Sequence, residues 1–193
     1  MIKTKQDLNI YIREDRRMQP FEPSPIARIF STNSAIVRWK TALRKCEYHH
    51  NASGLKPLHK VAYWVYRYKV ERYNRRFCSE LKINVFGKGL IIWHPERIII
   101  INANARVGDY CSLSSGVVIA QAHDEYPVVG NHVELMIDSK VLGGITIADD
   151  TRIGANALVL KTIKRPNTTW AGVPAKQISD KGARETPVVP RSY

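Results

Sequence analysis

The amino-acid sequence predicts a mainly β fold, a three-sided parallel β-helix with an N-terminal α-helical region before it and a C-terminal cap after it. Three observations support this prediction. Aliphatic residues recur at every sixth position through the second half of the chain, helical periodicity is confined to the first part, and prolines follow where the six-residue repeat stops. The expected boundaries are a helical region at 1–82, the β-helix at 83–178 and a tail at 179–193.

The six-residue repeat is the most specific of these signals. Neither an α-helix, with its period of 3.6, nor a β-strand, with its period of 2, produces it. A chain wound as a triangular coil does, because each side is one short strand and inward residues stack at roughly 4.8 Å on the next turn. Nine consecutive positions of the repeat are Val, Leu or Ile: Val107, Leu113, Ile119, Val129, Leu135, Val141, Ile147, Ile153 and Val159.

Two places interrupt the repeat. The step from Ile119 to Val129 is ten residues, so "QAHDEYPVV" is expected to leave one corner as a short loop. Insertions of this kind in repeat folds tend to carry function. Further upstream, the register is broken around His94 and Pro95. After Val159 the repeat is lost, and the remaining sequence is expected to cap the coil.

The first 82 residues are helical and basic. Helices are predicted over 57–77 and 36–50, separated by "NASGLKP", and a weaker helix over 4–16. Such helices can cover the first turn of a coil, whose backbone is otherwise unpaired. This region has 18 Lys and Arg against 7 Asp and Glu, compared with 12 against 10 in the rest. Solvated helix faces explain this charge better than nucleic acid, which is not an expected partner.

Composition narrows the class of protein. The N-terminus lacks the apolar run of a signal peptide, and no stretch reaches the length of a membrane span. We therefore expect a soluble cytoplasmic protein, with peripheral attachment to the inner membrane face as an alternative. The three cysteines are far apart in sequence and are expected to be reduced thiols.

Four segments together resemble the hexapeptide-repeat left-handed β-helix acetyltransferases, specifically the serine-acetyltransferase-like group. The resemblance implies a left-handed coil and a homotrimer, with a dimer of trimers as the alternative assembly. It also implies that acetyl-CoA binds in the groove between coils and gives its acetyl group to a hydroxyl or amine. The segments are "FGKGLIIWH" (86–94), "NANARVGDYCSL" (102–113), "ITIADDTRIGANALV" (145–159) and "WAGVPAKQI" (170–178).

His94 is the predicted general base, since it stands where this group has its catalytic His. An alcohol needs a base to remove its proton as the oxygen attacks a thioester, and a neutral imidazole suits that role. The resemblance also implies a second His that orients the acceptor. His123 in the protruding loop is the candidate, although alignment on Pro127 places Tyr126 nearer that position. Trp93 and Tyr126 are the predicted substrate-contacting residues.

The resemblance implies further contacts to acetyl-CoA. Backbone at two positions would follow the pantetheine arm, cations would meet the phosphates, and the "WAGVPAK" segment would close the channel. Cys111 lies within the repeat and is expected to pack in the core, so transfer is direct, without an acyl-enzyme. No trio of His suggests a metal site. The predicted acetyl-CoA residues are Ile137, Ala155, Lys161, Lys164, Arg165, Trp170 and Lys176.

Three departures from the group affect the choice of acceptor. Trp93 replaces an Asp beside the catalytic His, Met136 replaces a glycine, and the spacing from His94 to Val107 is one residue longer. The missing Asp disfavours free serine, whose ammonium group needs a carboxylate. The resemblance implies, as the main prediction, O-acetylation of a sugar or glycan hydroxyl in bacterial surface polysaccharide biosynthesis, as in many members of this group. The basic helices would suit an anionic or lipid-linked acceptor. A serine O-acetyltransferase and an inactive trimeric scaffold or binding protein are the alternatives.

Overall fold

A computed structural model describes residues 1–20, 24–52, 57–95 and 97–187. The helical region contains α1 (Lys5–Arg17), the short α2 (Ala27–Phe30), α3 (Thr32–Asn51) and α4 (Pro57–Arg76). The three longer helices match the three predicted ones, with ends that differ by at most four residues. At the start of α1, the side chains of Thr4 and Asp7 form a capping box that satisfies backbone N–H groups of the first turn. Among the described helices, none has the length and apolar character that a membrane crossing requires.

A parallel β-helix of about four turns follows the helices, as predicted. All nine residues of the six-residue repeat are buried in its core. The strands form three parallel sheets, one for each side of the prism, in the orders β1-β4-β7-β10-β12, β2-β5-β8-β11 and β3-β6-β9, with β13 added antiparallel to the first. The strands are β1 (Ile91–Ile92), β2 (Ile100–Ile101), β3 (Arg106–Val107), β4 (Ser112–Leu113), β5 (Val118–Ala120), β6 (Val128–Val129), β7 (Glu134–Leu135), β8 (Lys140–Leu142), β9 (Thr146–Ile147), β10 (Arg152–Ile153), β11 (Leu158–Val159), β12 (Thr169–Ala171) and β13 (Lys176–Ser179).

The register shows where the first turn departs from six. Ile92 pairs with Leu113, and Ile101 pairs with Ile119. Nine residues therefore separate inward positions on the first turn, where six separate Leu113 from Ile119 on the next. The extra residues lie at the corner that follows β1, which contains His94.

The loop "QAHDEYPVV" leaves a different corner as a short hairpin. Ala122 and Glu125 exchange two backbone hydrogen bonds of 3.2 and 3.1 Å. The two residues between them, His123 and Asp124, have φ values of 53° and 58°, as a two-residue type I′ turn requires. Glu125 lies against Gly144, where a Cβ would be 2.3 Å from the carboxylate. A glycine at this position lets the hairpin fold back on the next turn.

Side chains from the helices pair with the open edge of the first turn. Gln19 accepts a hydrogen bond from the backbone N–H of Ile92 at 3.2 Å and donates one to its carbonyl at 3.0 Å. Asp15 accepts from the N–H of Leu90, and Lys40 donates to the Leu90 carbonyl. These contacts replace the missing neighbouring strand, since a buried peptide group without a partner is costly. The helices therefore form a polar cap on the coil, as expected.

Four ionisable groups are buried in this cap: Asp15, Lys40, Arg44 and Glu47. Arg44 donates to Asp15 at 2.8 Å, to Glu47 at 3.1 Å and to the Phe86 carbonyl at 2.9 Å. Burial lowers the pKa of Lys40 to about 8, against the opposing effect of Asp15. Burial also works against the charge of Arg44, but the two carboxylates outweigh it and raise its pKa. The two cations and two anions compensate each other within the protein interior.

The last turn is covered by the C-terminal segment. Trp170 on β12 packs against the hydrophobic core, and β13 pairs with β12 in the antiparallel direction. Beyond β13, the N–H of Ala183 donates to the Asp150 carbonyl, and Arg184 forms an ion pair of 2.7 Å with the Asp150 carboxylate. The segment up to residue 187 therefore packs against the coil. Residues 188–193 of the expected tail lie outside the described residues.

Candidate active site

The three edges of the prism separate the predicted site residues. We call them the His94 corner, the hairpin corner and the third corner. The His94 corner follows β1, β4, β7 and β10 and comprises 93–95, 114–117, 136–139 and 154–157; the hairpin corner comprises 102–105, 121–127, 143–145 and 160–162; the third corner comprises 108–111, 130–133, 148–151 and 164–168.

His94 occupies the lengthened corner of the first turn. Its φ of 49° is in the left-handed region, which a non-glycine residue adopts only when the surrounding structure requires it. The side chain is exposed, and within the described residues its imidazole has no hydrogen-bond partner. Both ring nitrogens are therefore free to contact a substrate. The corner presents His94 to solvent as a general base would need.

Trp93 and Met136 lie at the His94 corner, on its first and third turns. Their backbone N–H groups donate to Leu113 at 2.8 Å and to Ile153 at 3.0 Å, so they occupy equivalent outward positions two turns apart. Both side chains are half-buried. The indole N–H of Trp93 is buried and has no partner among the described residues. The two departures from the family pattern thus lie on one face and make it more apolar.

Ile137 and Ala155 lie at the same corner as His94 on later turns. Both are exposed, and their backbone N–H groups have no partner within the described part of the chain. Their alignment along one edge gives a row of free donors leading away from the imidazole. An extended ligand with amide carbonyls, such as pantetheine, matches such a row.

His123 and Tyr126 lie at the hairpin corner with Lys161. His123 is exposed and Tyr126 is half-buried. One side of the prism is about six residues long at roughly 3.3 Å each, which separates two corners by on the order of 15–20 Å. Within one protomer, the structure therefore does not bring either residue to His94.

The remaining predicted acetyl-CoA residues are distributed over other parts of the coil. Lys164 and Arg165 lie at the third corner, where Arg165 pairs with Asp180 at 2.6 Å. Lys176 is exposed on β13. Trp170 is partly buried against the core and donates its indole N–H to Thr168 at 2.9 Å. Lys164 and Arg165 therefore lie away from the His94 corner, whereas Lys176 pairs with Ala171, which packs on Gly154 of that corner.

Sequence reasoning missed an ion pair at the His94 corner. Arg97 donates to Asp138 at 3.0 Å, which ties the lengthened first turn to the third turn. Asp138 has a φ of 57° and lies over Gly116, where a Cβ would be 2.0 Å from its carboxylate. A sequence pattern could have indicated this corner. Equivalent positions on successive turns hold Gly116, Asp138 and Asn156, and all three residue types favour left-handed backbone.

The other histidines have structural contacts. His132 stacks on Tyr110, with ring centroids 5.4 Å apart, at the third corner. In the helical region, His49 and His59 approach to 3.1 Å between their Nδ1 atoms. Burial, followed by the charge of His59, lowers the pKa of His49. In the parts of the chain that the structure describes, no cluster of three or more His, Cys, Asp or Glu side chains is arranged to hold a metal ion.

The cysteines differ sharply in expected reactivity. Burial raises the pKa of both Cys46 and Cys111 to about 12, so neither forms a thiolate at neutral pH, and the thiolate is the nucleophile. Cys78 is exposed. We expect dithionitrobenzoate to label Cys78 rapidly in the native protein and the other two only after denaturation. Rapid native labelling of Cys111, detected by peptide mass spectrometry, would contradict this assignment.

Comparisons with known proteins agree with the repeat and the fold. Residues 126–161 match the family model "Bacterial transferase hexapeptide (six repeats)". A serine acetyltransferase from Synechococcus elongatus is 31% identical over 143 residues, covering 67% of this chain and 58% of that protein. The chain thus spans less than two thirds of the length of this curated relative.

Solved structures show the same architecture. Soybean serine acetyltransferase complexed with serine matches with a TM-score of 0.66 at 20% identity, over 90% of this chain and 70% of that one. Serine acetyltransferase from Brucella abortus in complex with coenzyme A matches with a TM-score of 0.63 at 22% identity, over 92% of this chain and 68% of that one. At these identities, the likeness establishes the fold.

These names overturn the predicted glycan acceptor and the assignment to polysaccharide biosynthesis, because the relatives and structural neighbours are named serine acetyltransferases. That prediction rests on Trp93 and on the basic helices. The structure gives part of the basic charge a different role, since Lys40 and Arg44 are buried in the cap. The chain carries the hexapeptide repeat of bacterial transferases and is a homologue of serine acetyltransferases.

Proposed function

We propose that this protein is a serine O-acetyltransferase, which moves the acetyl group of acetyl-CoA to the hydroxyl of serine. The observation that carries the proposal is the exposed imidazole of His94, which has no hydrogen-bond partner among the described residues, at the lengthened corner of the first turn of a coil homologous to serine acetyltransferases. Ile137 and Ala155 support it, since their N–H groups, which no described residue accepts from, continue along the same edge. Trp93 and Met136 would give the acyl-transfer site an apolar wall.

The proposed reaction is direct transfer. The imidazole of His94 removes the proton from the serine hydroxyl as that oxygen attacks the thioester carbonyl, which forms a tetrahedral intermediate. Collapse of the intermediate breaks the carbon–sulfur bond, and the imidazolium returns the proton to the departing CoA thiolate. The products are O-acetylserine and CoA. Cys111 takes no part, because its thiol is buried and its pKa is about 12.

We propose a homotrimer in which the hairpin corner of one protomer lies beside the His94 corner of its neighbour. The separation of the two corners within a protomer supports this arrangement. Tyr126 and His123 would then reach the acceptor from the second protomer, and Lys161 would reach the phosphates of CoA. Because Trp93 has no carboxylate for the serine ammonium, that contact must come from another residue of the assembled site.

The test is CoA release from acetyl-CoA with L-serine as acceptor, with the product identified by mass spectrometry. We expect release that depends on L-serine and forms O-acetylserine in equal amount. Release with a sugar but not with serine would overturn the proposal. A trimeric scaffold without activity predicts no release and no thermal stabilisation by acetyl-CoA, whereas a bound ligand at 100 times its Kd stabilises the native state by about 2.7 kcal/mol.

A further inference from the structure

The outer face of α4 carries a stripe of large apolar side chains that the described residues leave exposed. Helical spacing of three and four residues puts them on one face. The opposite face packs inward, where Val70 is fully buried and Asn74 accepts a hydrogen bond from the Trp39 indole at 3.1 Å. This apolar stripe consists of Leu58 (79% exposed), Val61 (63%), Trp64 (68%), Val65 (48%) and Tyr68 (61%).

A basic groove adjoins the stripe. It lies between α1, α3 and α4 and has a volume of about 580 Å³. Within the described chain, no carboxylate lines it, and none of its cationic side chains forms an ion pair with a described residue. Tyr66 is one of the lining residues, with the amino groups of Lys45 and Lys69 at 5.3 and 5.1 Å from the ring centroid. The six cations that line the groove are Arg16, Arg38, Lys45, Lys69, Arg72 and Arg76.

The groove and the stripe are neighbouring faces of one helix. At 100° per residue, Lys69 and Arg76 lie about 75° and about 55° from the centre of the stripe, and Arg72, one turn beyond Tyr68, lies only about 15° from it. Unpaired like charges in one groove repel each other and attract an anionic partner. Contact with an apolar phase would remove the side chains of the stripe from water, which is favourable. One partner that satisfies both must present anionic groups next to hydrocarbon.

We propose that α4 binds the surface of an anionic phospholipid membrane, with lipid phosphates in the basic groove and the apolar stripe at the boundary between headgroups and acyl chains. An interfacial helix needs this combination of a basic face and an aromatic and aliphatic face. This proposal is independent of the acetyl acceptor. It makes the helical region an attachment surface, while the His94 corner belongs to the coil.

Two other occupants fit less well. A second copy of this chain would set α4 against itself, and α4 has six Lys and Arg residues against the single acidic residue Glu71, so like charges would face each other. A nucleic acid would satisfy the groove but would leave Leu58, Val61 and Val65 exposed to water. Soluble phosphate compounds likewise leave the stripe uncovered.

The test uses the full chain and extruded vesicles of phosphatidylcholine, alone or with 30% phosphatidylglycerol. We expect sedimentation with the mixed vesicles only, weakened by 0.5 M salt because screening shortens the reach of the lysine and arginine charges. Trp64 should shift its fluorescence to shorter wavelength on binding, and the Trp64→Phe variant should lose that shift. Absence of binding, or equal binding to both vesicle types, would overturn the proposal.

Variants separate the two features. Val61→Asp tests the stripe, and the double change Lys69→Glu with Arg72→Glu tests the groove. Each should weaken vesicle partitioning by about tenfold or more. For the groove variant, the reason is that one basic residue near an anionic surface contributes about 1 kcal/mol. Lys181→Glu, an exposed cation outside both features, is the matched control and should bind as the unmodified protein does. Circular dichroism checks that the variants remain folded.

Further measurements detect the competing occupants of this surface. Either of the following two results would overturn the proposal. Loss of a higher oligomer in light scattering with Val61→Asp, without change in vesicle binding, would indicate a second copy. Binding of tripolyphosphate or single-stranded RNA in the absence of vesicle binding would indicate a soluble anion or a nucleic acid. The His94→Asn variant should bind vesicles normally, which separates failure of this proposal from failure of the acetyltransferase assignment.

Discussion

The His94→Asn variant is expected to lower kcat for acetyl transfer to serine by a factor of about 10²–10⁴, the usual contribution of a positioned general base. Asparagine tolerates the left-handed backbone that His94 adopts, with its φ of 49°. The substitution therefore removes the base without adding backbone strain. Steady-state rates of CoA release with varied L-serine and acetyl-CoA measure the effect.

His123→Asn is the matched control for this measurement. His123 is also exposed and also left-handed, with a φ of 53°, so the two substitutions place the same demand on the backbone. We expect its effect to fall mainly on KM for serine, because its proposed role is to orient the acceptor. Equal kcat losses for the two variants, or full turnover by His94→Asn, would remove His94 from its proposed role.

Arg44→Ala is expected to lower the free energy of unfolding by about 3–5 kcal/mol, the usual cost of breaking a buried ion pair by removing one partner. The side chain is 0% exposed and contacts both Asp15 and Glu47. Its removal takes away the cation that pairs with two buried carboxylates and the donor to the Phe86 carbonyl. Urea unfolding followed by circular dichroism measures the change.

Arg67→Ala provides the comparison for this cap variant. Arg67 pairs with Glu71 on the surface of α4 at 2.8 Å, and both side chains are about one third exposed. Exposed pairs of this kind contribute about 0–1 kcal/mol. If Arg44→Ala destabilises the protein no more than Arg67→Ala does, the polar cap is not a major source of stability.

The sequence was a good guide to the coil because its signal is local and repeated. Each inward position must be aliphatic on every turn, so Val107, Leu113 and Ile119 report the same constraint independently. The broken register around His94 likewise indicates an irregular corner. The predicted glycan acceptor was wrong, because Trp93 and the basic charge of the helices were weighed above the rest of the chain.

The site could be predicted only in part, because residues close in sequence turn onto different edges of the prism. Lys161 and Lys164 are three residues apart, yet one lies at the hairpin corner and the other at the third corner. His94 and Ala155 are far apart in sequence and share an edge. Spacing identified candidate residues, and only the winding of the coil decides which of them are neighbours.

The sequence alone determined the three-sided coil and the helices that precede it, since each depends on a periodic pattern. It also predicted His94 as the site imidazole, from a short local pattern. Tertiary structure decided how the coil begins. Gln19 and Ile92 are 73 residues apart, and nothing in either local sequence indicates that a side-chain amide will replace a strand. Such contacts depend on where rigid elements meet in space, which no local pattern records.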